Sequence, residues 1–89
     1  MPTIAMFDGI VIYMYWADHG VPHLHAIRGD EEAVFAILTG EILEGRVSRR
    51  TRRVVADWIE SRRPALLENW RRGQDGVPFE RIPGPENDG

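Results

Sequence analysis

The chain has 89 residues, 43% hydrophobic and 28% charged, the balance of one small globular domain. It has no cysteine, which excludes disulfides, thiolate metal centres and cysteine nucleophiles, and no apolar run near the roughly 20 residues of a membrane span. The net charge of −3 hides an uneven distribution: residues 1–45 balance to −6, residues 46–72 to +6 and residues 73–89 to −3, and all eleven basic residues are arginine.

Asp8-Gly9 interrupts the first apolar run, so no secretory leader is expected and the expected location is cytoplasmic. Thr3–Phe7 and Ile10–Trp16 flank that dipeptide, which suits the positive φ values of a tight hairpin turn. Ile10, Ile12, Met14 and Trp16 fall on one strand face, with Val11, Tyr13 and Tyr15 on the other. After a loop over residues 17–22, the run His23–Arg28 meets Gly29-Asp30, and Glu32–Leu38 meets Thr39-Gly40 before Glu41–Glu44. Short turns between adjacent apolar runs predict an antiparallel meander.

The period changes at Gly45. Ser48 is a good N-cap, and Val54, Val55, Trp58 and Ile59 recur at helical spacing. Pro64 fits the first turn of a new helix better than the middle of one, and Leu66, Leu67 and Trp70 would be that second helix's apolar stripe, ended by Gly73. Val77–Ile82 is a candidate edge strand. The expected architecture is one α+β domain over residues 1–82, a four- to five-stranded antiparallel meander followed by a two-helix hairpin packed on one sheet face. Residues 83–89 are expected to form a disordered C-terminal tail.

All three histidines lie in Asp18-His19-Gly20-Val21-Pro22-His23-Leu24-His25. On a strand, His23 and His25 project from the same face, and the loop can bring Asp18 and His19 toward them. Three readings stay open. A divalent metal suits His23 and His25 with His19 or Asp18 as a third ligand. Metal-free acid–base catalysis of a ribonuclease-like kind suits the same residues, with Arg28 neutralising a phosphate. The structural alternative is an Asp18 cap and hydrogen-bonded core histidines. Separately, Arg46, Arg49, Arg50, Arg52 and Arg53 open the first helix. Guanidinium groups this dense point to an anionic neighbour: a nucleic-acid backbone, a partner protein, or the chain's own Asp30-Glu31-Glu32.

Met1-Pro2-Thr3-Ile4, Phe7-Asp8-Gly9-Ile10, Met14-Tyr15, Asp18-His19 and Pro22-His23-Leu24-His25-Ala26 together resemble the bacterial family known as domain of unknown function 4160. The resemblance continues through Glu32-Ala33-Val34, residues 39–45 and Leu66-Leu67-Glu68-Asn69-Trp70. Leu24 stands where the family usually has Phe, and the arginine density near residues 49–53 is not a family requirement. The resemblance implies a small protein encoded beside an antitoxin-like, DNA-binding partner. The function it implies is the toxin of a type II toxin–antitoxin module, acting on RNA or the translation apparatus. The alternative is a non-enzymatic module that docks that partner.

Overall fold

The computed structural model describes residues 2–85. Five strands come first: β1 (Thr3–Phe7), β2 (Ile10–Tyr13), β3 (His23–Arg28), β4 (Glu31–Ala36) and β5 (Ile42–Arg46), followed by one helix, α1 (Arg49–Asp75). The sheet order is the sequence order, and every neighbouring pair is antiparallel. The meander therefore forms as the turn signals require. Asp8 and Gly9 adopt φ values of 53° and 73°, the two positive angles of a hairpin turn whose twist matches that of its strands.

Alternation decides the faces. Ile10, Ile12, Leu24, Ala26, Ala33 and Phe35 turn to one side and are buried there with Val55, Trp58, Ile59 and Leu66 of α1. Val11, Tyr13, His23, His25, Glu32 and Val34 share the opposite side. A register shift between Val34 and Phe35 offsets β5, and Gly45 there sits against the backbone of Glu32 and Ala33.

The expected two-helix hairpin is not what forms: a single helix of 27 residues runs straight through Pro64. Proline in a helix interior removes one hydrogen bond and costs ~3 kcal/mol, which is why a break is the natural expectation. Packing on both sides of Pro64 outweighs that cost here. Trp58 and Ile59 before it, and Leu66 and Asn69 after it, are all buried. Glu60, whose carbonyl loses the Pro64 donor, is exposed and can be hydrated. The adjoining turn is also tied down, because Arg63 Nε donates to the Ile37 carbonyl (2.9 Å) and Arg62 to the Gly84 carbonyl (2.7 Å).

Nor does Gly73 end the helix. Its role is close packing, with Phe79 and the Tyr15 carbonyl against it, and the helix ends at Gly76, which takes a left-handed conformation at φ 73°. Residues 77–82 form no strand. Their backbone is instead held by Asn69, whose Nδ2 donates to the Glu80 carbonyl and whose Oδ1 accepts the Glu80 N–H, each at 2.9 Å. Ile82 N–H donates to the Ile4 carbonyl on β1. Of the tail segment, Pro83 accepts from Trp58 Nε1 at 2.8 Å, and residues 86–89 lie outside the described residues. No helix of the described residues is long and apolar enough to cross a membrane.

Candidate functional site

The loop between β2 and β3 carries Asp18, and the end of α1 fixes it. Ala17 N–H donates to the Gly73 carbonyl (3.0 Å), Gln74 Nε2 to the Asp18 carbonyl (3.1 Å) and Trp16 Nε1 to the Val77 carbonyl (2.9 Å). Ala17 accepts a left-handed φ of 55° in this loop, a conformation costing an L-residue ~1–2 kcal/mol. The Asp18 carboxylate then faces β3. One oxygen accepts the backbone N–H of His19, and the other lies 2.9 Å from His23 Nε2.

His23 Nδ1 lies 2.8 Å from the Val21 carbonyl oxygen, which only accepts, so Nδ1 carries a proton. That leaves Nε2 facing a carboxylate. Two lone pairs would repel at this distance, so the contact needs a proton or a cation between the two atoms. Trp70 of α1 packs beside this ring, centroids 5.0 Å apart.

His25 lies two residues on, its ring 5.5 Å from that of His23. Tyr13, its partner across the β2–β3 ladder, stacks on it at 4.7 Å and 13°, and Tyr15 meets its edge. The Tyr13 hydroxyl donates to Glu32, and burial followed by that carboxylate pushes its pKa up. His25 Nδ1 lies 3.9 Å from the Glu32 carboxylate, while Nε2 is buried with no hydrogen-bond partner. Burial first, then the charge of His23, lowers the His25 pKa, so the ring favours its neutral form. Beside it opens a cleft of about 290 Å³ lined by His25, Glu32, Val34, Glu44 and Gly45 among others.

Asp18, His23 and His25 thus meet, each able to offer one ligand atom within 4.8 Å of the others. His19 and Arg28 are not brought to them. His19 is exposed and joins only through its backbone N–H. Arg28 sits at the far end of β3, some five residues (~17 Å) from His23, with Nε donating to the Asp8 carbonyl. Sequence reasoning missed the walls of the site. Tyr13 was legible in principle, because the hairpin register pairs it with His25. Trp70 carried no signal, being brought in only by the packing of the long helix.

The arginine row lies elsewhere. Ser48 caps α1, its Oγ accepting the Thr51 N–H, and the first turn holds no acidic residue. Glu31 accepts the Ser48 N–H rather than pairing with an arginine. Among the described residues no ion pair uses Arg46, Arg49, Arg50, Arg52 or Arg53. Arg49, Arg52 and Arg53 border a groove of about 420 Å³ with Gly40 and Asp57. Measured along α1, residues 49–53 lie ~25–30 Å from Trp70, whereas Arg46 ends β5 opposite Glu32, whose carboxylate is 3.9 Å from His25 Nδ1.

Comparison with known proteins finds no match among curated proteins and none among solved structures. One family model matches, described as a domain of unknown function, over residues 9–71, which include the histidine cluster, the arginine row and Trp70. That span exceeds half the chain, and the chain belongs to this family, DUF4160.

Proposed function

We propose that this chain is the toxin of a bacterial type II toxin–antitoxin module and acts on RNA in the cytoplasm. Asp18, His23 and His25 would form its reactive centre. The observation that carries the reading is the convergence of those three side chains from a pinned loop and a strand, beside an open cleft. Two imidazoles and a carboxylate are the groups that move protons near neutral pH. RNA cleavage needs no protein nucleophile. The 2′-oxygen attacks phosphorus and gives up its proton; the bond to the 5′-oxygen breaks, and that oxygen takes a proton. The products are a 2′,3′-cyclic phosphate and a 5′-hydroxyl. Exposed Tyr15, whose ring meets the edge of His25, offers a surface on which a base stacks. The partner would be the small antitoxin-like protein of a neighbouring gene.

The test is induced expression of the chain alone, with growth and total RNA followed together. His23→Ala/His25→Ala is expected to restore growth and intact RNA while retaining the far-UV circular dichroism of the parent. Unchanged growth arrest by a folded double variant would overturn the reading.

A second reading has its own support. The arginine row, which makes no ion pair among the described residues, suits a non-enzymatic module that docks an acidic partner surface. It predicts a stoichiometric, salt-sensitive complex with the neighbouring gene product that His23→Ala/His25→Ala leaves intact, and no RNA cleavage.

A further inference from the structure

The charges around the cluster oppose the proposed substrate. Asp18, Glu32 and Glu44 surround His25, and no arginine lines the cleft beside it. A phosphodiester entering there would meet carboxylates, against which the arginine row sets Arg46 on β5, opposite Glu32. A bound cation would bring further positive charge to this place.

We infer that Asp18, His23 and His25 hold a divalent transition-metal ion of the zinc class. His23 is already set as a ligand: its Nδ1–H on the Val21 carbonyl fixes the tautomer that leaves Nε2 free, the usual outer contact of a metal-bound histidine. The Asp18 oxygen faces Nε2 at 2.9 Å, a hydrogen-bond distance that opens slightly to admit an ion, since donors sharing one lie ~3.0–3.5 Å apart for bonds near 2.1 Å. His25 supplies the third donor through Nε2, a buried nitrogen that nothing in the protein satisfies. Its other nitrogen faces the Glu32 carboxylate, which is itself held by the Tyr13 hydroxyl, so an orienting shell stands behind this ligand too. The three ligand atoms lie within 4.8 Å of one another, so closure on an ion takes side-chain shifts of ~1 Å. Two histidines and one carboxylate leave further positions open for water or a phosphoryl oxygen. The mixed N and O set favours Zn²⁺, Co²⁺, Mn²⁺ or Fe²⁺ over Mg²⁺. This deepens the RNA-directed reading and rests on its three residues, whose part becomes holding the ion rather than moving protons themselves, but the binding itself does not require that activity.

The experiment uses the full chain without a histidine tag, treated with chelator and titrated with Zn²⁺ and Co²⁺, with Mg²⁺ for comparison. One ion per chain is expected. With Zn²⁺ at ~100 times its Kd, Tm should rise by ~10–20 °C. Co²⁺ should give visible d–d bands, which report nitrogen and oxygen ligation in the unsubstituted protein. His23→Gln, His25→Gln and Asp18→Asn should each weaken Zn²⁺ binding at least ~100-fold, while His19→Gln should leave it unchanged. The inference is overturned if the unsubstituted chain gives no d–d bands and no one-to-one Zn²⁺ binding, or if His19→Gln weakens it as much as His23→Gln. Growth arrest that needs His23 and His25 but persists in protein without a bound ion would overturn the metal and leave the RNA reading standing. Stoichiometric Zn²⁺ binding without growth arrest or RNA cleavage would do the reverse.

Discussion

Gly45→Ala should be among the most damaging single-methyl changes in this protein. Gly45 has φ 79°, where any L-residue costs ~1–2 kcal/mol. A Cβ there would also lie 2.3 Å from the Glu32 carbonyl oxygen and 3.0 Å from the Ala33 Cα. Both are backbone atoms of the paired strand and cannot swing aside as a side-chain tip would, so β5 has to separate from β4 where Gly45 pairs with Ala33. Backbone shifts of that kind add ~1–3 kcal/mol. Gly29→Ala is the internal control, with a similar φ of 62° but no heavy atom within 4 Å of its Cβ. It bears the backbone cost alone, ~1 kcal/mol after the entropy the unfolded chain loses. An 89-residue domain has ~5–13 kcal/mol in total, so ~2–4 kcal/mol at Gly45 should lower Tm by ~10–25 °C, against ~4–8 °C for Gly29→Ala. Urea and thermal unfolding of both variants measure the difference directly. Equal losses at the two positions would refute the claim that strand contact, rather than φ alone, demands glycine at 45.

Arg49→Glu with Arg50→Glu should stabilise the fold while weakening polyanion binding. These residues fill a first turn with no acid, where positive charge opposes the helix dipole. Reversal should contribute ~0.3–1 kcal/mol per site at low salt, read as a higher melting temperature, with a shallower salt dependence of binding to polyuridylate; a lower melting temperature would refute it. In chelator-treated protein, stability should fall as pH drops below ~6.5. His25 is depressed by burial and by His23, so the unfolded chain takes up its proton first, and the native state loses ground until its own, lower pKa is passed. Full stability from this residue is present above the unfolded value. Urea midpoints between pH 7 and 5.5 should lose this component in His25→Gln but not in His19→Gln, and an unchanged slope in His25→Gln would count against it.

The strands were legible because each turn signal is local: Asp8-Gly9, Gly29-Asp30 and Thr39-Gly40 each separate runs too short to do anything but pair. The helix was legible at its start, where Ser48 caps, and misread at Pro64. The proline rule is local, whereas the force that overrides it is the burial of Trp58, Ile59, Leu66 and Asn69 across a core the sequence does not display. The same limit applies at the site. The alternation of β3 places His23 and His25 on one face, but whether Asp18, His19 or Arg28 joins them depends on how the end of α1 pins the loop, through Gly73 and Gln74. Those contacts join residues more than fifty positions apart.

The unbroken helix also changes the meaning of the charge pattern. Were the arginines folded back on the acidic half, each would explain the other, and the net charge would be a fair description of the surface. α1 instead carries Arg49, Arg50, Arg52 and Arg53 to one end and Trp70 to the other, so those four make no ion pair among the described residues while carboxylates gather round His25. Each arrangement is unfavourable for folding alone: positive charge beside a helix start in the first case, negative charge around a half-buried imidazole with an orphaned nitrogen in the second. The two proposed ligands, an anion at the start of α1 and a cation at Asp18, His23 and His25, would each offset one of these local costs.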